Sequence, residues 1–376
     1  MTHSDVIHAA LQGAVDDGTF PGAVLAVRLR GRLVYEAAVG RLFVQPLGEP
    51  VTTETWYDLA SLTKVLATTT ALLLLVQRGE VALGDPIQKI LPELVGRPCG
   101  SATIRQLLTH SSGLPGWRPY FERIAEAEST HPGLIGTAAA RQAVLGYIGA
   151  EELIYEPTTR SLYSDLGFIL LGLAVERVTR QPLDRWCQEQ IFEPFHAEAL
   201  SYLPRGSAVL DKPSSGPPRR IAATEVDAWR GRTLCGEVHD ENAFALGGVA
   251  GHAGLFGTAR SVLAIVQAWM DGYRGHGTWL DPKWVRVFTQ RQQVTLGSSW
   301  ALGWDTPSGS SSAGALFSSD SFGHLGYTGT SIWIDPIQEL EVVLLSNRVH
   351  PTRRNESIRA FRPKIHDLVY QECVGR

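Results

Sequence analysis

Two stretches near the N-terminus, Gly22 to Arg30 and Leu33 to Gly40, are short, apolar and β-prone, and they flank Arg30-Gly31-Arg32 as a hairpin would. The pattern returns near the other end, where Ser331 to Asp335 and Glu341 to Asn347 flank Pro336-Ile337-Gln338-Glu339. Val, Ile and Trp are prominent in these runs, which favours strand over helix. Between the ends the periodicity turns helical. Ser61 to Arg78 is apolar on nearly every face and is stopped by Gly79, so it predicts a buried central helix. Thr103 to Thr109, Ala138 to Ile148, Asp165 to Thr179 and Ser261 to Met270 predict further helices. Asn355 to Cys373 predicts a closing amphipathic helix that Pro363 kinks or delays. Asp211 to Arg220 and Ser308 to Ser321 read as exposed loops. Strands at both ends with helices between them predict an α/β (α+β) fold: one mainly antiparallel sheet flanked by helices, with a helical lobe inserted in the middle.

Length and composition narrow the function classes. A chain of 376 residues exceeds the usual single core, so two lobes are expected. An apolar content of 44%, a charged content of 19% and a net charge of -4 describe an ordinary globular protein with no broad basic surface for nucleic acid. Cys99, Cys187, Cys235 and Cys373 lie far apart and form no C-x-x-C pair, which argues against a zinc ribbon or a disulfide framework. Met1 to Val27 contains no Lys or Arg, so no secretory signal is expected, and the longest apolar run, Ala71 to Val76, is too short for a membrane span. The expected location is cytoplasmic.

The chemistry centres on Ser61-Leu62-Thr63-Lys64. Of the five lysines (Lys64, Lys89, Lys212, Lys283 and Lys364), only Lys64 has a Ser or Thr three residues before it and only Lys64 sits in a strongly apolar segment. Residues three apart share a helix face. A hydroxyl at the helix start lies in the positive field of the N-terminus, and a neutral amine one turn on can take its proton. Alternatively, Ser61 is an N-cap and Lys64 snorkels to the surface. Tyr163-Ser164-Asp165 stands just before an apolar helix; either Ser164 or Asp165 can cap it, while Tyr163 can deliver its hydroxyl into a cleft. Gly323-His324-Leu325-Gly326-Tyr327-Thr328-Gly329-Thr330 precedes a strand, and its glycines allow close backbone approach to a ligand. No G-x-S-x-G is present, so an α/β-hydrolase elbow is not supported.

Taken in order, Ser61-x-x-Lys64, Tyr163-x-Asp165 and His324-Leu325-Gly326 resemble the three motifs of serine β-lactamases and penicillin-binding proteins. The pattern is most similar to the class C β-lactamase-related group, which also contains esterases and D-amino-acid peptidases. Flanking text extends the resemblance over nearly the whole chain: Tyr57 to Lys64, Leu107 to Pro115 and Gly247 to Phe256. It implies a β-lactamase/transpeptidase-like fold, with an α/β lobe from about 1–85 and 255–376 and a helical lobe from about 86–254. It further implies Ser61 as nucleophile, Lys64 as its proton acceptor and Tyr163 in the relay. The Ser61 and Tyr327 backbone N–H groups would form the oxyanion hole, and Asp165, His324, Gly326 and Thr328 would face substrate. No cofactor is implied, and the partner expected is a small-molecule ester, amide or β-lactam substrate.

Three positions depart from the pattern. His324 stands where the motif begins with Lys, Leu325 where it carries a hydroxyl, and Asp165 where Asn is usual. The first two weaken the place that holds a substrate carboxylate, which favours small esters or amides over β-lactams. The third puts a carboxylate near Lys64, so Asp165 either points away as a cap or shares the lysine's charge in a network. His239, Asp240 and His252 are ligand types whose spacing matches no compact metal signature, so no metal is expected. The alternatives are a true β-lactamase or D-alanyl carboxypeptidase, and a silent penicillin-binding sensor domain.

Overall fold

The computed structural model describes residues 3–44, 48–206 and 220–375. Its strands are β1 (Gly22–Leu29), β2 (Arg32–Gly40), β3 (Tyr57–Asp58), β4 (Leu200–Tyr202), β5 (Val226–Asp227), β6 (Arg232–Thr233), β7 (Leu255–Gly257), β8 (Phe322–Leu325), β9 (Ser331–Asp335) and β10 (Leu340–Ser346). Five of them form an antiparallel sheet in the order β2-β1-β10-β9-β8, so both ends of the chain meet at the central β1–β10 pair. Both expected hairpins are present. A three-stranded sheet, β3-β7-β4, ties the segment before Ser61 to the middle of the chain.

The period-two alternation of β1 and β10 sends side chains to two cores. Ala23, Leu25 and Val27 join Leu340, Val342 and Leu344 beneath helices α1 (His3–Asp16) and α5 (Ile358–Cys373). Val24, Ala26, Val343 and Leu345 face the larger core. There the sheet meets α4 (Ala259–Arg274), which packs in turn against the start of the central helix. The central helix begins as a π-helical turn, Lys64–Thr69, and continues as α2 (Thr70–Gln77), with Gly79 beyond it at φ 74°. Every residue from Leu62 to Val76 is buried, as the largely apolar segment predicts, and Lys64 with it.

Helix α3 (Asp165–Thr179) has the expected bounds. The closing helix starts at Ile358 and accommodates Pro363. Helix α1 was not anticipated, although Ile7, Leu11 and Ala14, spaced four and three apart and all buried, carry its signal. Ser308 to Ser321 is irregular, as expected, but not exposed throughout, since Ala313 and Phe317 are buried in the core; the loop at Asp211 to Arg220 lies, but for Arg220, outside the described residues. No helix among the described residues is long and apolar enough to cross a membrane.

Two glycines set the approach of α3 to the loop before β7. A Cβ on Gly251 would stand 2.2 Å from the Phe168 carbonyl oxygen and 2.8 Å from the Gly172 Cα. Gly251→Ala is therefore expected to lower stability by about 1–3 kcal/mol in thermal or denaturant unfolding. Gly13→Ala, in α1 with nothing within 4 Å of the added Cβ, is expected to raise it by about 0.5–1 kcal/mol. Equal effects of the two changes would contradict this packing.

Candidate active site

Ser61 follows a tightly pinned turn. Ala60 adopts φ 47°, a conformation that a residue with a Cβ holds only when its surroundings enforce it. Here Asp58 enforces it: buried, it accepts the Ala60 N–H at 2.8 Å and the His239 N–H at 2.7 Å through its two carboxylate oxygens. Thr328 and Thr330 donate to the Asp58 and Leu59 carbonyls at 2.7 and 3.1 Å, holding the β8–β9 connection against the same segment.

One turn on, the Lys64 side chain is fully buried, and its ammonium meets three oxygens. It donates to Ser61 Oγ at 3.0 Å and to the His252 carbonyl at 3.1 Å. Asp165 Oδ1 lies 2.7 Å away, an ion pair by distance without the alignment of a hydrogen bond. Burial is the strongest influence and would lower the Lys64 pKa, but Asp165 and Tyr163 together outweigh it and hold the ammonium above its usual value. Tyr163 completes the group. Its ring centroid is 4.8 Å from Lys64 Nζ, and burial pushes its pKa up against the pull of Lys64.

The two alternatives for Asp165 are resolved. Ser164 is the cap of α3, accepting the Gly167 N–H at 3.3 Å, so Asp165 is free to face Lys64. His324 lies against the same group as a neutral ring, its pKa pushed down to about 3 by burial and by Lys64. Its Nδ1 faces the Leu325 carbonyl at 2.8 Å and so carries the proton; the buried Nε2 is left without a partner. His110, a residue the motifs did not single out, packs on Tyr163 at 4.7 Å and Trp300 at 4.4 Å between ring centroids. Its Nδ1 accepts the Ser164 N–H at 3.0 Å, and burial, Lys64 and His324 keep it well below its ordinary pKa.

These side chains open on a cavity of about 600 Å³. Ser61, Tyr163, Asp165, His324, Gly326 and Tyr327 all line it. Thr328 requires a correction: it is buried outside the wall with its hydroxyl given to Asp58, and it acts as a strut rather than facing a substrate. The Ser61 and Tyr327 N–H groups are unused in hydrogen bonding among the described residues, leaving two donors on the same cavity. His239, Asp240 and His252 divide into two pairs, His239 with Glu225 at 3.0 Å and His252 with Asp240 at 2.8 Å, instead of converging on one point. The cavity is also lined by residues the motifs did not reveal: Trp117, Trp300 and four arginines, Arg348, Arg353, Arg359 and Arg362.

The family model for Beta-lactamase matches residues 7–365. A putative D-alanyl-D-alanine carboxypeptidase of Escherichia coli K12 is 33% identical over 369 residues, covering 89% of this chain and 80% of that protein. Among solved structures, EstCE1, a hydrolase with promiscuous acyltransferase activity, superposes with a TM-score of 0.75 at 21% identity over 98% of both chains. The octameric penicillin-binding protein homologue from Pyrococcus abyssi superposes at 0.70 with 20% identity, covering 95% of this chain and 75% of that one. The chain belongs to the Beta-lactamase family and is a serine hydrolase with that fold.

The ion pair makes a signed prediction. A lysine takes a proton only when neutral, and the Asp165 carboxylate favours its ammonium form. Asp165→Asn removes that carboxylate, so the Lys64 pKa falls and its neutral fraction at a given pH rises. The acidic limb of the kcat/KM pH profile is expected to move to lower pH in this variant. An unmoved limb would mean that Lys64 is not the titrating base.

Proposed function

We propose that this member of the Beta-lactamase family hydrolyses small esters or amides through an acyl-enzyme on Ser61. The observation that carries this is Lys64 Nζ at 3.0 Å from Ser61 Oγ, fully buried and ion-paired to Asp165. In water a lysine amine is almost wholly protonated at neutral pH. Here the Asp165 carboxylate at 2.7 Å favours the ammonium still further, so the reactive form is the neutral amine left once that proton has gone to solvent. The amine then takes the Ser61 hydroxyl proton as Oγ attacks the carbonyl carbon of the substrate. The developing oxyanion is received by the Ser61 and Tyr327 N–H groups, fixed in place before the reaction begins. Collapse of the tetrahedral adduct expels the leaving group, which takes a proton from Tyr163, itself reprotonated by Lys64. Water enters by the reverse relay and releases the acid.

Substrate preference follows from the third motif. His324 is neutral and Leu325 has no hydroxyl, so this edge offers no cation and no side-chain donor to a substrate carboxylate. Uncharged acyl compounds fit such an edge. A second reading has its own support: the curated relative is named a putative D-alanyl-D-alanine carboxypeptidase, and Arg348, Arg359 and Arg362 line the same cavity, where they offer positive charge to a peptide carboxylate.

Wild type and Ser61→Ala are to be compared on p-nitrophenyl butyrate, a chromogenic cephalosporin and an acylated D-alanyl-D-alanine. Ester turnover that falls by roughly a thousandfold or more in the variant, with slow cephalosporin cleavage, is the expected result. Ser61-dependent release of D-alanine faster than ester cleavage would move the second reading ahead. Activity unchanged by Ser61→Ala would remove Ser61 as the nucleophile.

A further inference from the structure

Arg362 is a buried cation without an anion. It projects from α5, is 6% exposed, and has no carboxylate within ion-pair distance among the described residues. Its charged neighbours, Arg348 and Arg359, are also cations, and together with burial they push its pKa down to about 9. Its Nε is buried without a partner. Such an arrangement is costly to fold, because a desolvated charge normally needs an opposite one beside it.

What Arg362 does hold is the backbone of the β8–β9 connection. One terminal nitrogen donates to the Gly326 and Thr330 carbonyls, each at 2.7 Å. Gly326 C=O belongs to the peptide unit whose N–H is that of Tyr327, the second donor on the cavity. The only cis bond among the described residues is His350-Pro351, so this unit is trans, with C=O and N–H pointing in opposite directions. A charged donor on the oxygen, beside the Gly329 N–H that it also accepts at 3.1 Å, therefore helps fix the direction of the Tyr327 N–H. It also draws electron density toward the oxygen, which makes the N–H a stronger donor. The close fit allows no freedom elsewhere: a Cβ on Gly326 would lie 1.9 Å from Thr330 Oγ1 and 2.6 Å from the Leu59 carbonyl. Arg348 secures the next unit, its Nε donating to the Tyr327 carbonyl at 2.8 Å.

We infer that Arg362 is the positioning residue of the oxyanion hole: through the Gly326 carbonyl it aims and polarises the Tyr327 N–H, and its uncompensated charge is matched only when an oxyanion forms on the substrate. This deepens the proposed Ser61 acyl-transfer reading and rests on it. It also separates Arg362 from a carboxylate anchor, because an oxyanion forms on every acyl substrate whether or not that substrate bears a carboxylate.

The test uses the neutral ester p-nitrophenyl butyrate, with rates expressed per active site titrated by a fluorophosphonate so that misfolded protein is not counted. For Arg362→Gln, kcat is expected to fall about 10- to 100-fold with KM little changed, a part of what losing one oxyanion donor entirely costs. Affinity for 3-aminophenylboronate, which forms an anionic tetrahedral adduct on Ser61, should weaken in the same proportion. Arg362→Lys, which keeps the charge but not the shared donor geometry, should recover part of both. Unchanged kcat per titrated site on the neutral ester would overturn the inference, as would a loss confined to KM or boronate affinity that stays constant while kcat falls. Ser61→Ala run in parallel keeps the two ideas apart: if that variant retains ester turnover, the acyl-enzyme reading itself fails, whereas Ser61 dependence with indifferent Arg362 variants removes only the role of Arg362.

Discussion

A fully buried ammonium costs several kcal/mol unless oxygen atoms replace the water it has lost. Lys64 finds three such oxygens in three separate parts of the chain: Ser61 one turn before it, His252 in the loop before β7, and Asp165 at the start of α3. Satisfying one charge thus fixes the central helix, the inserted helical region and the return to the sheet relative to one another. The close contact of Gly251 with α3 is part of the same requirement, since it sets where the His252 carbonyl can stand. The cleft is assembled around this one group, and the other features of the site are responses to it.

One response is the neutrality of the imidazoles. His110 and His324 are both buried near Lys64, and a second and third cation there would add repulsion to desolvation. Each ring therefore stays neutral, with its tautomer chosen by a backbone partner: His324 donates a hydrogen bond to the Leu325 carbonyl, and His110 accepts one from the Ser164 N–H. The third motif has given up a cation at its first position, and the positive charge of the cavity has moved to the arginines of the C-terminal segment. The cation that remains close to the nucleophile is Lys64, held charged by the carboxylate 2.7 Å away, and it becomes a base only when that proton is lost.

Much of this was legible in the sequence, for local reasons. The hairpins declare themselves through short β-prone runs around polar turns, and the central helix through an apolar run of helical length. Ser61 and Lys64 are legible because a lysine inside such a run demands an explanation. Asp165 was ambiguous between cap and ion pair, since a carboxylate at a helix start suits both, and only the packing of α3 against the central helix decides it. Thr328 was misassigned because a threonine in a motif text carries no sign of which way it faces; here the Asp58 carbonyl claims it. The arginines were invisible because their contacts span large separations. Arg362 meets Gly326 across 36 residues, and no spacing rule joins a C-terminal helix to a turn in the sheet.

The distribution of strain follows the same logic. Several strained or unsatisfied groups, Ala60 at a positive φ, Arg362 without a carboxylate and the orphaned nitrogens of His252 and His324, line one cavity, with the fully buried Lys64 beside Ser61 and Tyr163. Elsewhere charges are resolved conventionally, as where Arg260 grips Glu36 or Arg177 grips Glu93 at the surface. Two apolar cores on opposite faces of the sheet supply the stability that lets the cleft remain unrelaxed. Groups left short of partners in the resting protein are the ones that gain most when a substrate carbonyl becomes an oxyanion, and a site that satisfied them in advance would have nothing left to offer the transition state.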